Sequence, residues 1–192
     1  MRIIAGIAKG MPLVVPRDGV RPTTDRIREA VFSSLGARVT GARVLDLFAG
    51  TGALGLEAAS RGAMAVTFVE KARASLIALE RNLAAFRQGR DVACQLQVTR
   101  GDAFAQLAAF TVAARFDLVF ADPPYGDAAQ RLVDDPRLPP VVAADGLLVL
   151  ESAARDALLA GPIWQTIREA VYGDTRVSFL APVMPAQPEQ GG

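Results

Sequence analysis

Val44-Leu45-Asp46-Leu47-Phe48-Ala49-Gly50-Thr51-Gly52-Ala53-Leu54-Gly55 decides how this chain folds. An apolar strand pattern runs into a glycine turn and then into a helical stretch. Glycines let the backbone turn tightly and approach a ligand without Cβ interference. The helix that follows presents free N–H groups and a positive dipole end. That suits a phosphate, or equally a carboxylate. Gly50-x-Gly52-x-x-Gly55 by itself also fits a dinucleotide fingerprint.

Outward from this turn, strand and helix patterns alternate. Strands are predicted at Arg43–Phe48, Ala65–Val69, Ala93–Val98, Phe116–Ala121, Gly146–Glu151 and Arg176–Leu180, with a fainter one at Ile167–Val171. Helices are predicted between them at Leu54–Arg61, Arg73–Phe86, Phe104–Ala109, Ala128–Val133 and Ala153–Leu159, with Gly62 just past the end of the first. The alternation implies an α/β fold, a mostly parallel seven-stranded sheet with helices on both faces. Ligands in such sheets sit beyond the strand C-termini, at the switch point between the first and fourth strands.

Ahead of the sheet, Arg2–Ile4 and Leu13–Val15 read as a short β-hairpin, with Gly6 and Gly10 in its turns. Thr23 or Thr24 caps a helix running to about Leu35, whose apolar stripe is Ile27, Ala30, Val31 and Leu35. Arg26, Arg28 and Glu29 fall off that stripe. The expected layout is a hairpin-and-helix extension over residues 1–40, a ligand-binding catalytic domain over 41–182 and a flexible tail over 183–192.

Composition narrows the chemistry. Half of the 192 residues are apolar and a fifth are charged, which fits a globular chain with a real core. No apolar run approaches the ~18 residues of a membrane helix, and the N-terminus lacks the core of a signal peptide; a cytoplasmic monomer is expected. With no histidine, a histidine base, a Ser-His-Asp triad and a histidine metal site are excluded. The single cysteine, Cys94, excludes a disulfide or cysteine zinc cluster and reads as a buried strand thiol. No metal is expected. Residues 1–43 carry eight basic against three acidic residues, and the remainder thirteen against seventeen. A basic front on an acidic body suits a polyanion, although a solvated charged face has the same signature.

Three strand-end acids refine the ligand. Asp46 lies inside the first strand, where a dinucleotide site is normally apolar; there it can tie down the glycine loop or meet a ligand ammonium. Glu70 ends the second strand, where it can hold ribose hydroxyls, and Asp102, followed by Ala103, ends the third, where it can accept from an adenine amino group. With Phe48, Ala49, Gly50, Thr51 and Gly52 these form a candidate site for S-adenosylmethionine.

The fourth strand ends in Asp122-Pro123-Pro124-Tyr125. Consecutive prolines stiffen the chain and remove two N–H donors, leaving the Asp122 carboxylate and the Pro123 carbonyl as a rim of acceptors. Such a rim grips an exocyclic amine, a double donor, and Tyr125 offers a face for base stacking. Alone, the tetrapeptide is equally a strand-end Asp before a Pro-Pro turn. Beside the glycine loop, it points to methylation of a base amino group.

The full set resembles the RsmD-type bacterial 16S rRNA guanine-N2 methyltransferases. The resemblance is carried by Arg2-Ile3-Ile4-Ala5-Gly6, Lys9-Gly10, Leu13, Pro16, Arg21-Pro22-Thr23-Thr24-Asp25-Arg26-Ile27-Arg28-Glu29, the glycine loop, Asp122-Pro123-Pro124-Tyr125 and Tyr172-Gly173-Asp174-Thr175. It implies a Rossmann-like class I methyltransferase core and S-adenosylmethionine as cofactor. It further implies a guanine of small-subunit rRNA as target, met in an assembling 30S subunit. Arg2, Lys9, Arg17, Arg21, Arg26 and Arg28 are the candidate RNA contacts. The nearest rival is an adenine-N6 methyltransferase, which shares the Tyr ending but usually carries a separate target-recognition domain. Protein glutamine methylation usually begins its acceptor turn with Asn, and a dehydrogenase leaves the Pro-Pro turn unexplained. A non-catalytic S-adenosylmethionine-binding RNA module is the remaining alternative.

Overall fold

Strand β1 (Arg43–Leu47) lies at the centre of a seven-stranded sheet, paired in parallel with β2 (Ala65–Glu70) on one side and β4 (Phe116–Ala121) on the other. Its four residues Val44–Leu47 are buried on both faces, as a central parallel strand requires. The order is β3-β2-β1-β4-β5-β7-β6, completed by β3 (Gln95–Arg100), β5 (Val142–Ala153), β6 (Trp164–Tyr172) and β7 (Thr175–Pro182). β7 alone runs opposite to the rest of the sheet, antiparallel to both β5 and β6. A computed structural model describes residues 1–16, 24–110, 115–124, 126–156 and 158–183 of the chain.

Helices cover both faces. On one, α1 (Asp25–Leu35), α2 (Ala53–Ser60) and α3 (Arg73–Arg87) pack with the N-terminal segment over Val44, Phe68, Leu118 and Phe120. On the other, α4 (Ala103–Leu107) and α5 (Ala128–Asp134) cover Leu45, Leu47, Val119 and Ala121. The alternation of these side chains along β1 and β4 is the period-two pattern of the sequence made physical. Thr24 caps α1, its hydroxyl accepting from Ile27 N–H at 3.3 Å. Gly62 follows the end of α2 with a left-handed backbone (φ 97°). Tyr172-Gly173-Asp174-Thr175 is the tight β6–β7 turn, with Tyr172 and Thr175 paired across it.

Three expectations are corrected. The helix predicted at Ala153–Leu159 does not form: β5 continues to Ala153 and a turn follows. Tertiary bonds take the groups a helix would use, for Ala154 N–H donates to Asp174 O, and the Arg176 guanidinium donates to the carbonyls of Ala154 and Asp156. The N-terminal hairpin contracts to one antiparallel bridge, Arg2 to Pro12, with Ile3 bonded to Met11. Side chains of α2 capture the N–H groups of Ile4, Ala5 and Ala8 that a longer ladder would use. Cys94 stands just before β3 rather than within it, half-buried, and burial pushes its thiol up to about 11. That keeps it protonated at neutral pH and far from nucleophilic.

Candidate active site

Leu47, the last residue of β1, is the register partner of Ala121, the last residue of β4. The glycine turn and the Asp122-Pro123-Pro124 corner therefore leave the same edge of the sheet from paired strands, about 4.8 Å apart. This is the switch point, where the chain's order reverses direction.

The glycine turn is held from beneath. Phe48 adopts a left-handed backbone (φ 59°), which costs a non-glycine residue on the order of 1–3 kcal/mol. Its ring meets Phe104 of α4 edge-on at 5.7 Å. A Cβ on Gly55 would fall 2.3 Å from Phe68 Cε1 and 2.8 Å from Val66 Cγ1, so only glycine lets α2 lie this close to β2. Asp46 is buried, and its Oδ2 accepts from Gly55 N–H at 2.9 Å. Burial raises the Asp46 carboxyl well above the ordinary carboxylate range; the Gly55 bond opposes the rise, and the charges of Asp122 and Glu70 add to it. Three carboxylates thus share one electrostatic neighbourhood.

Glu70 is also buried. It accepts from Gly50 N–H at 2.7 Å through one oxygen and from Lys71 and Ala72 N–H through the other, joining the turn to the start of α3. Asp102 caps α4 by accepting from Phe104 and Ala105 N–H, and its second oxygen pairs with Lys71 Nζ at 2.8 Å. The Lys71 bond is the main cause of its lowered pKa. Ala103, Ala49, Thr51 and Gly52 are buried around these groups, and Gly50 is half-buried. Across the edge, Asp122 and Pro124 are exposed and Pro123 is buried. Tyr125 lies outside the described residues. On the β5 side of the corner, a pocket is lined by Asp122, Pro123, Pro124, Glu151, Ser152 and Thr175, among others.

The family model described as conserved hypothetical protein 95 matches residues 1–181. The chain belongs to this family. Ribosomal RNA small subunit methyltransferase D of Escherichia coli (strain K12) is 37% identical over 179 residues, covering 90% of this chain and 85% of the relative. The protein of the same name from Haemophilus influenzae is 32% identical over 179 residues, covering 90% and 89%. A solved Thermus thermophilus protein, described as hypothetical, superposes with a TM-score of 0.79 at 32% identity over 95% of this chain and 99% of that one. The RsmD-type resemblance of the motifs is borne out, and so is the Rossmann-like α/β fold.

In this RsmD-type chain the basic front divides. Arg2, Lys9 and Arg26 are exposed, whereas Arg17 and Arg21 lie outside the described residues. Arg28 corrects its expectation. Its side chain is fully buried, donating to Arg2 O and to Asp25 Oδ1, both at 2.6 Å. A side chain committed to that internal tie does not reach outward to a phosphate. The helical stripe is wider than its apolar residues because Arg28 adjoins Ile27 and takes the N-terminal segment's carbonyl.

Three buried polar residues outside the predicted site hold the N-terminal segment to helices α2 and α3. Glu57 accepts from Ile4 and Ala5 N–H, Ser60 Oγ accepts from Ala8 N–H, and Asn82 brackets Val14. Asn82 also donates to Thr51 O at 2.9 Å, reaching the glycine turn itself. The one signal in the sequence was a carboxylate and a hydroxyl inside Ala53–Ser60, a helix buried on every side. Groups so placed need partners.

Proposed function

We propose that this chain transfers the methyl group of S-adenosylmethionine to the exocyclic N2 amine of a guanine in small-subunit rRNA. The observation that carries the reading is the pairing of Leu47 with Ala121, which sets the glycine turn beside the Pro-Pro corner. The names of the curated relatives support small-subunit rRNA as the substrate.

The residues of the turn fit the cofactor. A Cβ on Gly50 would meet nothing closer than Phe48 O at 3.9 Å, so that side of the turn is open. S-adenosylmethionine, when bound, supplies an electrophilic sulfonium methyl. Phe48, Ala49, Gly50, Thr51 and Gly52 would line it. Asp46 would face its ammonium, Glu70 its ribose, and Asp102 with Ala103 its adenine.

The acceptor side follows from hydrogen-bond chemistry. The lone pair of a base amine is delocalised into the ring. Asp122 and the Pro123 carbonyl accept its two hydrogens and draw the nitrogen toward tetrahedral geometry, freeing that pair for in-line attack. This is orientation with preorganised electrostatics and needs no covalent intermediate. The proton leaves the resulting cationic nitrogen for Asp122 or water. Tyr125 stacks on a base flipped from its helix, worth ~1–3 kcal/mol. Arg2, Lys9, Arg17, Arg21 and Arg26 contact the phosphates.

Mass-spectrometric mapping of 16S rRNA nucleosides from cells with and without the gene tests the reading. One N2-methylguanosine should vanish with the gene and return with the wild-type protein but not with Asp122→Ala. An unchanged nucleoside map would sink the substrate assignment.

A further inference from the structure

We infer that Glu151 selects guanine, by accepting the N1–H beside the amine that Asp122 and Pro123 hold. The inference rests on the proposed guanine-N2 reading and names the residue that discriminates within it. Leu150 is the register partner of Ala121 on the parallel strand β5. Glu151 and Asp122 are therefore the next residues along two paired strands, on the edge where the glycine turn also emerges. Glu151 is only 4% exposed, yet it lines the same pocket as Asp122, Pro123 and Pro124. That pocket is lined from the corner, α5, β5 and β7 and by no residue of the glycine turn, so it is suited to the acceptor rather than the donor.

The chemistry follows from the base edge. Guanine presents N2–H and N1–H side by side, two donors whose partners stand a few ångströms apart. Paired strands are about 4.8 Å apart, which suits acceptors from neighbouring strands for two such donors. Adenine has an unprotonated N1, so a buried carboxylate there would face a lone pair and repel it. Rejection of that kind is severe in a site built to hydrogen-bond its substrate.

The test uses reconstituted 30S subunits carrying guanine or 2,6-diaminopurine at the methylated position. Diaminopurine keeps the N2 amine but has an N1 acceptor and a 6-amino donor. Wild-type protein should methylate guanine on the order of a hundredfold faster in kcat/KM, the scale of a lost charged hydrogen bond. Glu151→Gln, whose amide can donate to N1, should shrink that preference at least about tenfold. Its S-adenosylmethionine affinity and melting temperature should stay near wild type. Equal use of both bases by the wild type overturns the inference without any variant. A preference unchanged in Glu151→Gln, whatever its absolute rate, overturns it too. Failure of the wild type to methylate the guanine particle would instead strike the proposed function itself.

Discussion

Glu57 Oε2 accepts the backbone N–H of Ile4 at 2.7 Å, across 53 residues of sequence. The same carboxylate accepts from Ala5 N–H and from Arg61 Nε, and Glu57 is fully buried. One side chain of α2 thus fixes where the N-terminal segment lies. Its neighbour Gly6 confirms how close the approach is, since a Cβ there would overlap Ser60 O at 1.7 Å.

Glu57→Ala strands two backbone donors and a guanidinium together. Removing one partner of a buried pair costs on the order of 3–5 kcal/mol; Arg61 retains some access to water, so the lower end is expected. Glu57→Gln keeps one oxygen and should cost about 1–3 kcal/mol. Urea unfolding midpoints measure both, and a Glu57→Ala midpoint equal to wild type would refute the tether.

Asn82 makes the second tie, between the N-terminal segment and the glycine turn. It accepts from Val14 N–H at 2.7 Å and donates to Val14 O and Thr51 O. Asn82→Asp is expected to be worse than Asn82→Ala for cofactor binding, because it turns a carboxylate oxygen toward two carbonyls. Calorimetric titration with S-adenosylmethionine should show weaker binding in both, and hydrogen exchange should show Val14 N–H losing protection. Cofactor affinity unaltered in Asn82→Asp would detach Asn82 from the turn's geometry.

The edge that carries the candidate site was legible because its signals are local. Glycines at 50, 52 and 55 and prolines at 123 and 124 announce their backbone in the primary sequence, and strand periodicity supplies the sheet between them. The tethers were not legible, because their partners lie 52 to 68 residues away and a buried Glu57 or Asn82 looks like any helix polar residue. The lost helix after Ala153 fails for the same reason. Its alanine-rich sequence favours helix, but Arg176 and Asp174, from a distant hairpin, override local propensity.

Arg26 and Arg28 should part company under mutation. Arg26 is exposed, so Arg26→Ala should leave stability within about 0.5 kcal/mol of wild type and reduce the salt slope of RNA binding by about one ion. Arg28→Ala removes the buried donor of Arg2 O and Asp25 and should lower stability by about 2–4 kcal/mol. The slope of log Kd against log salt, with thermal melts of both variants, separates the roles. A flattened slope in a stably folded Arg28→Ala would return Arg28 to the RNA surface.

Asp46 gives the fold a pH dependence of unusual sign for an aspartate. An unfolded aspartate titrates near ~3.9, and the folded Asp46 is held higher, chiefly by burial. The folded state therefore binds this proton more tightly. The stability it contributes is full below ~3.9 and drains away as pH rises through the raised folded value. Asp46→Asn retains an oxygen for Gly55 N–H and removes the charge. The variant should gain on wild type in urea midpoint as pH climbs above about 4. A cationic ligand reverses the balance, since the ammonium of S-adenosylmethionine would give the ionised carboxylate a partner. Saturating cofactor should thus raise the wild-type midpoint more than that of Asp46→Asn at neutral pH. Parallel pH curves would mean that Asp46 does not titrate within the fold, and equal cofactor shifts would mean that it does not meet the ligand's charge.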